Sequence, residues 1–180
     1  MRLSKDRVIL MARHSKITKL VVISFMITLE VLLTRIFAIF MPTSFRLSLG
    51  FLPVAMTSIL YGPLWAGVSY ALGDIIGMLI FPMGPYFPGF TLTAFLTGIT
   101  FGLILYGKPI TFKRTLVASL IVVVFCNLIL DTFWLYLLYD QAVVAMLPLR
   151  LIKGGLTLAI QTTLIPLTWN RYLSKINFLR

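Results

Sequence analysis

An all-α integral membrane protein, folded as a bundle of six transmembrane helices, is the fold class that this sequence predicts. Its residues are 59% hydrophobic and only 12% charged, and the mean hydropathy is +1.00, so a chain of this length could not bury its apolar surface as a soluble domain. The apolar residues form six runs, and the basic residues gather at the ends of those runs. That grouping is a topology signal of membrane proteins, whereas a nucleic-acid-binding protein carries its positive charge along one face.

The first three helices are predicted from apolar runs and from the turn residues that separate them. Residues 17–40 can cross a bilayer, because about 20 helical residues span a hydrocarbon core of roughly 30 Å. Pro42 and the polar residues Thr43 and Ser44 end this run. Residues 47–60 and 64–81 follow, and the intervening Tyr61–Gly62–Pro63 is a turn signal. It favours two short spans over one very long helix.

The last three helices are delimited in the same way. Residues 90–106 end at Gly107–Lys108–Pro109, and residues 116–139 and 149–169 give the fifth and sixth spans. An even number of crossings places both termini on one side. The predicted organisation is a basic N-terminal segment over residues 1–16, a membrane domain over 17–170 and a basic C-terminal tail over 171–180.

The basic residues indicate which side the termini occupy. Twelve of them precede helix 1, lie between helices 4 and 5, or follow helix 6: Arg2, Lys5, Arg7, Arg13, Lys16, Lys19, Lys108, Lys113, Arg114, Arg171, Lys175 and Arg180. All twelve fall on the same face of the predicted bundle. Because cytoplasmic loops are enriched in Lys and Arg, this face and both termini are predicted to be cytoplasmic.

Most of the remaining charged residues of the membrane domain converge on the outer half of the bundle. Counted at about 1.5 Å per helical residue, they are Glu30, Arg35, Arg46, Asp131, Arg150 and Lys153, while Asp74 lies near mid-depth and is predicted to stand apart. Such groups are costly in a bilayer, so they are expected to face the bundle interior and to pair there or to bind something.

Two interpretations of this outer cluster stay open. In one, the groups pair internally, Glu30 with an arginine of another helix and Asp131 with Arg150 or Lys153. In the other, the four bases exceed the two acids, and the surplus positive charge binds an anionic ligand. An acidic side chain at this level could also take the paired N–H donors of a guanidine-like heterocycle edge.

The segment from Phe81 to Thr91 holds three prolines, two glycines and four aromatic residues between two apolar runs. Prolines fix the backbone, glycines permit close approach and aromatic faces offer stacking surfaces. The alternative is an aromatic belt at the membrane surface. The topology places this segment on the outer face beside the surplus cations, which favours a lid in which Tyr86, Phe87 and Phe90 cover a flat aromatic ligand with an acidic tail.

Enzymatic and cofactor sites are disfavoured. Residues 102–109 match a nucleotide-binding P-loop as far as Lys108, but Pro109 replaces the Ser or Thr that holds Mg²⁺. The single histidine, His14, lies in the basic N-terminal segment, and the single cysteine, Cys126, lies inside an apolar run. No catalytic residue, metal site or cofactor is therefore predicted.

A small-residue pair on helix 1 is the one sign of a protein partner. Ser24 and Thr28 are four residues apart and share one helix face, where small side chains let helices approach closely in lipid. They indicate either a docking surface or tight packing inside the monomer.

The motifs in their order along the chain resemble the folate-specific S components of energy-coupling factor (ECF) transporters. The resemblance rests on Arg46–Pro53 (RLSLGFLP), Gly62–Pro63, Asp74, the central segment 81–91, Thr132 with Trp134, and Leu147–Lys153 (LPLRLIK). It spans nearly the whole chain, and the central segment is its most specific part.

The resemblance implies a six-helix subunit that captures folate from outside and works with a membrane coupling protein and two cytoplasmic ATPases. For such a ligand, depth in the bundle and side-chain chemistry place Asp131 and Trp134 near the heterocycle, Tyr86, Phe87 and Phe90 over the ring system, and Arg46, Arg150 and Lys153 at the carboxylate tail, with Arg35 serving the ligand or Glu30. Ser24 and Thr28 stand where the family more usually has an alanine-type pair. An asparagine is more usual where Asp131 stands.

Three alternatives remain at this stage. One is an S component for another vitamin, such as riboflavin or thiamine, neither of which carries the paired carboxylates of folate. The others are a membrane scaffold without a transport role and an intramembrane enzyme. Tight vitamin binding would distinguish the transport functions from the last two.

Overall fold

The six predicted helices are confirmed. The computed structural model describes residues 5–36, 39–40, 46–82, 85–139 and 147–171, and side chains over 16–36, 48–82, 85–138 and 147–171. The helices are α1 (Lys5–Val31, continued by the π-helical Leu32–Ile36), α2 (Phe51–Tyr61), α3 (Pro63–Ile80), α4 (Pro88–Leu105), α5 (Phe112–Ile121, the π-helical Val122–Leu130 and Asp131–Tyr139) and α6 (Leu147–Arg171). Five of the described helices are long and apolar enough to cross a membrane, and α2 is shorter.

The connection between α1 and α2 differs from the prediction. The first span was expected to run to Phe40 and the second to begin at residue 47, but α1 ends at Ile36 and α2 begins at Phe51. Strand β1 (Ile39–Phe40) instead pairs antiparallel with β2 (Arg46–Leu47). Branched and aromatic residues suit such pairing once a helix has stopped. Pro53 is accommodated in the first turn of α2, where backbone N–H groups have no partner within the helix.

The turn between α2 and α3 requires glycine. Gly62 has φ +88°, a conformation that other residues adopt only with strain. Pro63 then begins α3, where its missing N–H costs nothing. The ammonium of Lys19 on α1 lies over the Trp65 ring at 4.2 Å and over the Tyr61 ring at 5.3 Å from their centroids. These contacts fix the basic end of α1 beside this turn.

Helices α3 and α4 form a closely packed hairpin. A Cβ at Gly98 would collide with the backbone of Ala66, and one at Gly102 would collide with Pro63. The absence of side chains at these two positions lets the helix backbones touch, as small residues do in membrane proteins generally. This hairpin positions the segment between the helices, to which Tyr86 and Phe87 belong.

The hydrophobic core lies at the end of the bundle where α2 ends. It gathers Val54, Met56 and Ile59 of α2 with Phe101 of α4 and Ile165 of α6. Helix α2 has only 11 residues, about 16 Å of helix and roughly half of a hydrocarbon core. The longer helices continue past its first residue, Phe51, and the space above Phe51 becomes a cavity.

Candidate substrate-binding cavity

Two π-helical segments present polar side chains to this cavity. The segment in α1 carries Thr34 and Arg35, and the segment in α5 carries Asn127 and ends at Asp131. At its end the Asp131 N–H donates to the carbonyl of Cys126, five residues back. Such i→i+5 turns are rare and occur frequently at functional sites, because they change the face that the following residues occupy.

The cavity consists of two adjoining chambers. The larger, about 510 Å³ and called the lid chamber, lies beside the segment between α3 and α4, and its walls include Glu30, Arg35, Asp74, Pro85, Tyr86, Phe87, Phe90, Thr93 and Leu138. The smaller, about 190 Å³ and called the α6 chamber, is lined by Phe51, Leu128, Arg150, Gly154, Thr157 and Gln161. Ser48, Tyr70, Asn127, Asp131 and Lys153 line both.

A chain of hydrogen bonds connects the segment between α3 and α4 to α1. Arg35 Nη2 lies 3.3 Å from Asp74 Oδ1, and Thr91 Oγ1 donates to Asp74 Oδ2 at 2.8 Å. The Tyr86 hydroxyl lies 3.2 Å from Thr91 Oγ1. The expectation that Asp74 stands apart is wrong, because this carboxylate joins α1, α3 and α4 at the edge of the lid chamber.

Two glycines of α3 make room for the charged side chains of α1. A Cβ at Gly73 would collide with Glu30 Oε2, and one at Gly77 would lie 2.8 Å from Arg35 Nε. Glu30 itself is only 4% exposed and accepts a hydrogen bond from Thr34 Oγ1 at 3.2 Å. A glycine pair that could dock a second helix is used here to admit a carboxylate and a guanidinium.

The aromatic residues form one wall of the lid chamber. Phe87 meets Phe90 edge to face with 6.1 Å between ring centroids, and Trp134 lies 5.6 Å from Phe87 on the far side. Trp134 Nε1 donates to Thr93 Oγ1 at 3.0 Å. Phe87 and Phe90 line the lid chamber, while Trp134, which lines neither chamber, packs against Phe87 and is held by Thr93.

Helix α6 lines the cavity with one polar stripe. Arg150, Lys153, Thr157 and Gln161 recur at helical spacing and share a face. Arg150, near the start of α6, donates from Nη1 to Thr132 Oγ1 of α5 at 2.7 Å. The stripe thus runs from a cationic end, one turn into α6, to an uncharged amide deep in the bundle.

The predicted excess of bases over acids does not hold for the described lining. Arg35, Arg150 and Lys153 stand against Glu30, Asp74 and Asp131, three against three. Arg35 is paired with Asp74, and Asp131 and Lys153 line both chambers, whereas Arg150 lines only the α6 chamber. The cationic groups of the first turns of α6 are therefore the best-placed partners for an anionic group.

Most of the predicted ligand-binding residues come together around these chambers. Tyr86, Phe87, Phe90, Asp131 and Lys153 line the lid chamber, as does Arg35, which pairs with Asp74. Arg150 lines the α6 chamber. The Arg46 side chain lies outside the described residues, although its backbone pairs with Phe40 in the strand ladder.

The small-residue pair of α1 points away from the bundle. Ser24 and Thr28 are both exposed, and Thr28 Oγ1 donates to the carbonyl of Ser24 within its own helix. Tight packing inside the monomer, one of the two interpretations of this pair, is therefore wrong. A docking role stays a prediction.

Several residues that line or support the cavity were not predicted as site residues from the sequence. Among them are Asp74, Thr93, Asn127 and Gln161. Asn127 and Gln161 carry the clearest overlooked signal, because an amide inside an apolar membrane run is costly unless it finds a partner. Thr93 gives no such signal, since Thr commonly bonds to its own helix backbone.

Comparisons with known proteins agree with this architecture. A family model for the S component of ECF-type riboflavin transporters matches residues 14–168. The folate transporter FolT of Clostridium novyi (strain NT) is 41% identical over 154 residues, which make up 86% of this chain and 89% of that protein. FolT of Leuconostoc mesenteroides is 32% identical over 98 residues, 54% of this chain and 53% of that protein.

Among solved structures, a crystal structure of FolT bound with folic acid superposes with a TM-score of 0.78 at 37% sequence identity. The match covers 85% of this chain and 93% of that one. Because the family model covers most of the sequence and the identity to the Clostridium protein extends along nearly all of it, this chain belongs to the family of S components of ECF-type transporters.

Proposed function

We propose that this chain is the folate-binding subunit of an ECF-type vitamin importer in a bacterial cell membrane. The observation that carries the proposal is the pair of adjoining chambers, which combine an aromatic wall with a carboxylate, Asp131, and a cationic stretch on α6. Folate has the matching parts: a flat pterin rich in N–H donors, a benzoyl ring and a glutamate with two carboxylates. No catalytic step is assigned to the chain.

Each part of folate has a chemically suitable partner. Phe87 and Phe90 can contact the faces of the ring system, and Tyr86 lines the same chamber. The Asp131 carboxylate can accept paired N–H donors from the pterin edge. Arg150 and Lys153 carry the positive charge for the glutamate carboxylates, and the bond from Arg150 to Thr132 holds that guanidinium in position.

The relatives support the same ligand. The proteins named as folate transporters are 41% and 32% identical to this chain, and the structural match was solved with folic acid bound. A second candidate is riboflavin, because the family model is named for riboflavin transporters. Riboflavin offers a flat ring system for the aromatic wall but no carboxylates for Arg150 and Lys153.

Delivery of folate into the cell is assigned to partners. An S component has no ATPase of its own in this proposal and works with a membrane coupling protein and two cytoplasmic ATPases. The exposed face of α1 around Ser24 and Thr28 is the surface assigned to the coupling protein, and both chain termini are assigned to the cytoplasm. The cavity then faces outward when it captures the vitamin.

Calorimetric titration of the purified protein with folic acid, riboflavin and thiamine tests the ligand. We expect one folic acid to bind per chain, more tightly than either other vitamin. Tighter binding of riboflavin would replace folate as the ligand and keep the transport function. Absence of binding to every vitamin, together with failure to copurify with ATPase subunits after gentle extraction, would favour a scaffold or an enzyme.

A further inference from the structure

A buried amide on the floor of the α6 chamber has an acceptor atom without a partner. Gln161 is 3% exposed, and its Oε1 accepts no hydrogen bond from any residue in the described part of the chain. The same side chain lines the α6 chamber together with Asn127 and Asp131. A buried, unsatisfied acceptor that borders a cavity is a position at which a ligand donor would be stabilised.

A structural role does not account for this amide. Leucine would fill a similar volume in an apolar membrane helix without leaving a polar atom unsatisfied, so glutamine makes the folded state less stable than it could be. The neighbouring Thr162, also buried, behaves differently, because its hydroxyl donates to the carbonyl of Leu158 in its own helix. Gln161 is left to bond with whatever enters the chamber.

Depth along α6 determines which end of a ligand reaches Gln161. Eleven residues separate it from Arg150, about 16 Å of helix, and both side chains line the same chamber. A carboxylate held by Arg150 therefore lies near the beginning of α6. The opposite end of an extended molecule is directed toward the amides of Gln161 and Asn127.

We propose that Gln161 is a ligand-contacting residue whose Oε1 accepts an N–H from the pterin edge, so that the pterin lies deep in the α6 chamber and the glutamate lies toward Arg150. This inference rests on the proposed function. The pterin edge carries both N–H donors and acceptor atoms. Asn127 and Asp131 face the same space, so the Asn127 amide can donate to an acceptor of the pterin and the Asp131 carboxylate can accept a second N–H. Gln161 then distinguishes the pterin from analogues that lack this N–H. A site that must hydrogen-bond its ligand rejects such analogues more strongly than a site that matches shape alone.

The test combines two substitutions of Gln161 with two ligands. Gln161→Leu and Gln161→Met keep the volume and remove the amide, and Thr163→Val is the control, since Thr163 is exposed on the same helix and bonds to the carbonyl of Ala159. Folic acid and pteroic acid, which lacks the glutamate, are titrated by calorimetry into each purified protein. The melting temperature without ligand reports on folding.

We expect both Gln161 variants to bind folic acid and pteroic acid about tenfold more weakly than wild type or worse, by the same factor for the two ligands. Their melting temperatures without ligand should not fall, because an unsatisfied buried atom has been removed. The Thr163 control should bind both ligands normally.

Three results would overturn the assignment. Normal folic acid binding by both Gln161 variants would remove the contact while leaving the proposed function intact. A loss confined to folic acid would place the amide at the glutamate and not at the pterin. Failure of the wild-type protein itself to bind folic acid would overturn the proposed function, and this inference with it.

Discussion

Arg35 of α1 and Asp74 of α3 form an ion pair inside the bundle, with 3.3 Å between Nη2 and Oδ1. Both side chains are largely buried, and the second Asp74 oxygen accepts a hydrogen bond from Thr91 of α4. One carboxylate thus ties three helices together beside the lid chamber. The pair also neutralises a guanidinium that the sequence assigned to the ligand or to Glu30.

Replacing one member of this pair should destabilise the protein more than replacing both. Arg35→Met leaves the Asp74 carboxylate buried beside an apolar side chain, which costs about 3 kcal/mol or more for such a pair, whereas removal of both charges is often close to neutral. We expect a lower melting temperature for Arg35→Met and substantial recovery in the double variant Arg35→Met with Asp74→Asn. Thermal unfolding of wild type, Arg35→Met, Asp74→Asn and the double variant in one detergent measures the coupling energy between the two side chains. Additive losses would show that the two charges do not stabilise each other.

A methyl group at Gly77 should disturb the same pair from the other side. The added Cβ of Gly77→Ala would lie 2.8 Å from Arg35 Nε, so the guanidinium must move, at a cost of about 1–3 kcal/mol. Gly155→Ala is the matched control, because a Cβ there meets no heavy atom within 4 Å and alanine favours the helix. Thermal unfolding should show a loss for Gly77→Ala and none for Gly155→Ala. Equal losses in wild type and in an Arg35→Met background would indicate that Arg35 is not the group displaced.

The sequence was sufficient to predict the helices and most of the charged and aromatic residues around the cavity, but not the pairing inside it. Counting residues along a helix gives the depth of Arg35 and Asp74 and leaves their direction around the helix axis open. The π-helical segment Leu32–Ile36 changes that direction just where Arg35 lies. No local signal in the sequence marks this segment.

The lid residue Tyr86 should slow the release of bound ligand. Tyr86 is 52% exposed and lines the lid chamber, so Tyr86→Ala removes an aromatic contact that typically contributes about 0.5–1.5 kcal/mol beyond its area. We expect dissociation of radiolabelled folic acid to accelerate roughly two- to tenfold. Tyr106→Ala is the control, since Tyr106 is similarly exposed at the opposite end of α4. An unchanged dissociation rate in Tyr86→Ala would restore the interpretation of residues 81–91 as a membrane-surface belt.

The guanidinium of Arg150 should act on the glutamate end of the ligand alone. Charge-assisted hydrogen bonds contribute about 1.5–3 kcal/mol, so Arg150→Ala should weaken folic acid binding roughly tenfold to a hundredfold. Pteroic acid, which lacks the glutamate carboxylates, should lose much less. Arg114→Ala is the control, because that guanidinium lies at the other end of the bundle and donates to the carbonyl of Pro109. Equal losses for both ligands would assign Arg150 a role in holding α5 against α6 through Thr132.

The exposed pair on α1 should affect assembly and not vitamin binding. Ser24 and Thr28 lie outside the chambers and face away from the bundle, so leucine at either position fits the isolated subunit but blocks close approach of a second helix in lipid. We expect Ser24→Leu and Thr28→Leu to bind folic acid normally by calorimetry and to recover less coupling protein and ATPase during copurification from membranes. Thr163→Leu, on the exposed face of α6, controls for added bulk facing the lipid. Full recovery of the partners by both α1 variants would move the docking surface to another helix, whereas weakened folic acid binding would mean that α1 communicates with the cavity through Glu30 and Arg35.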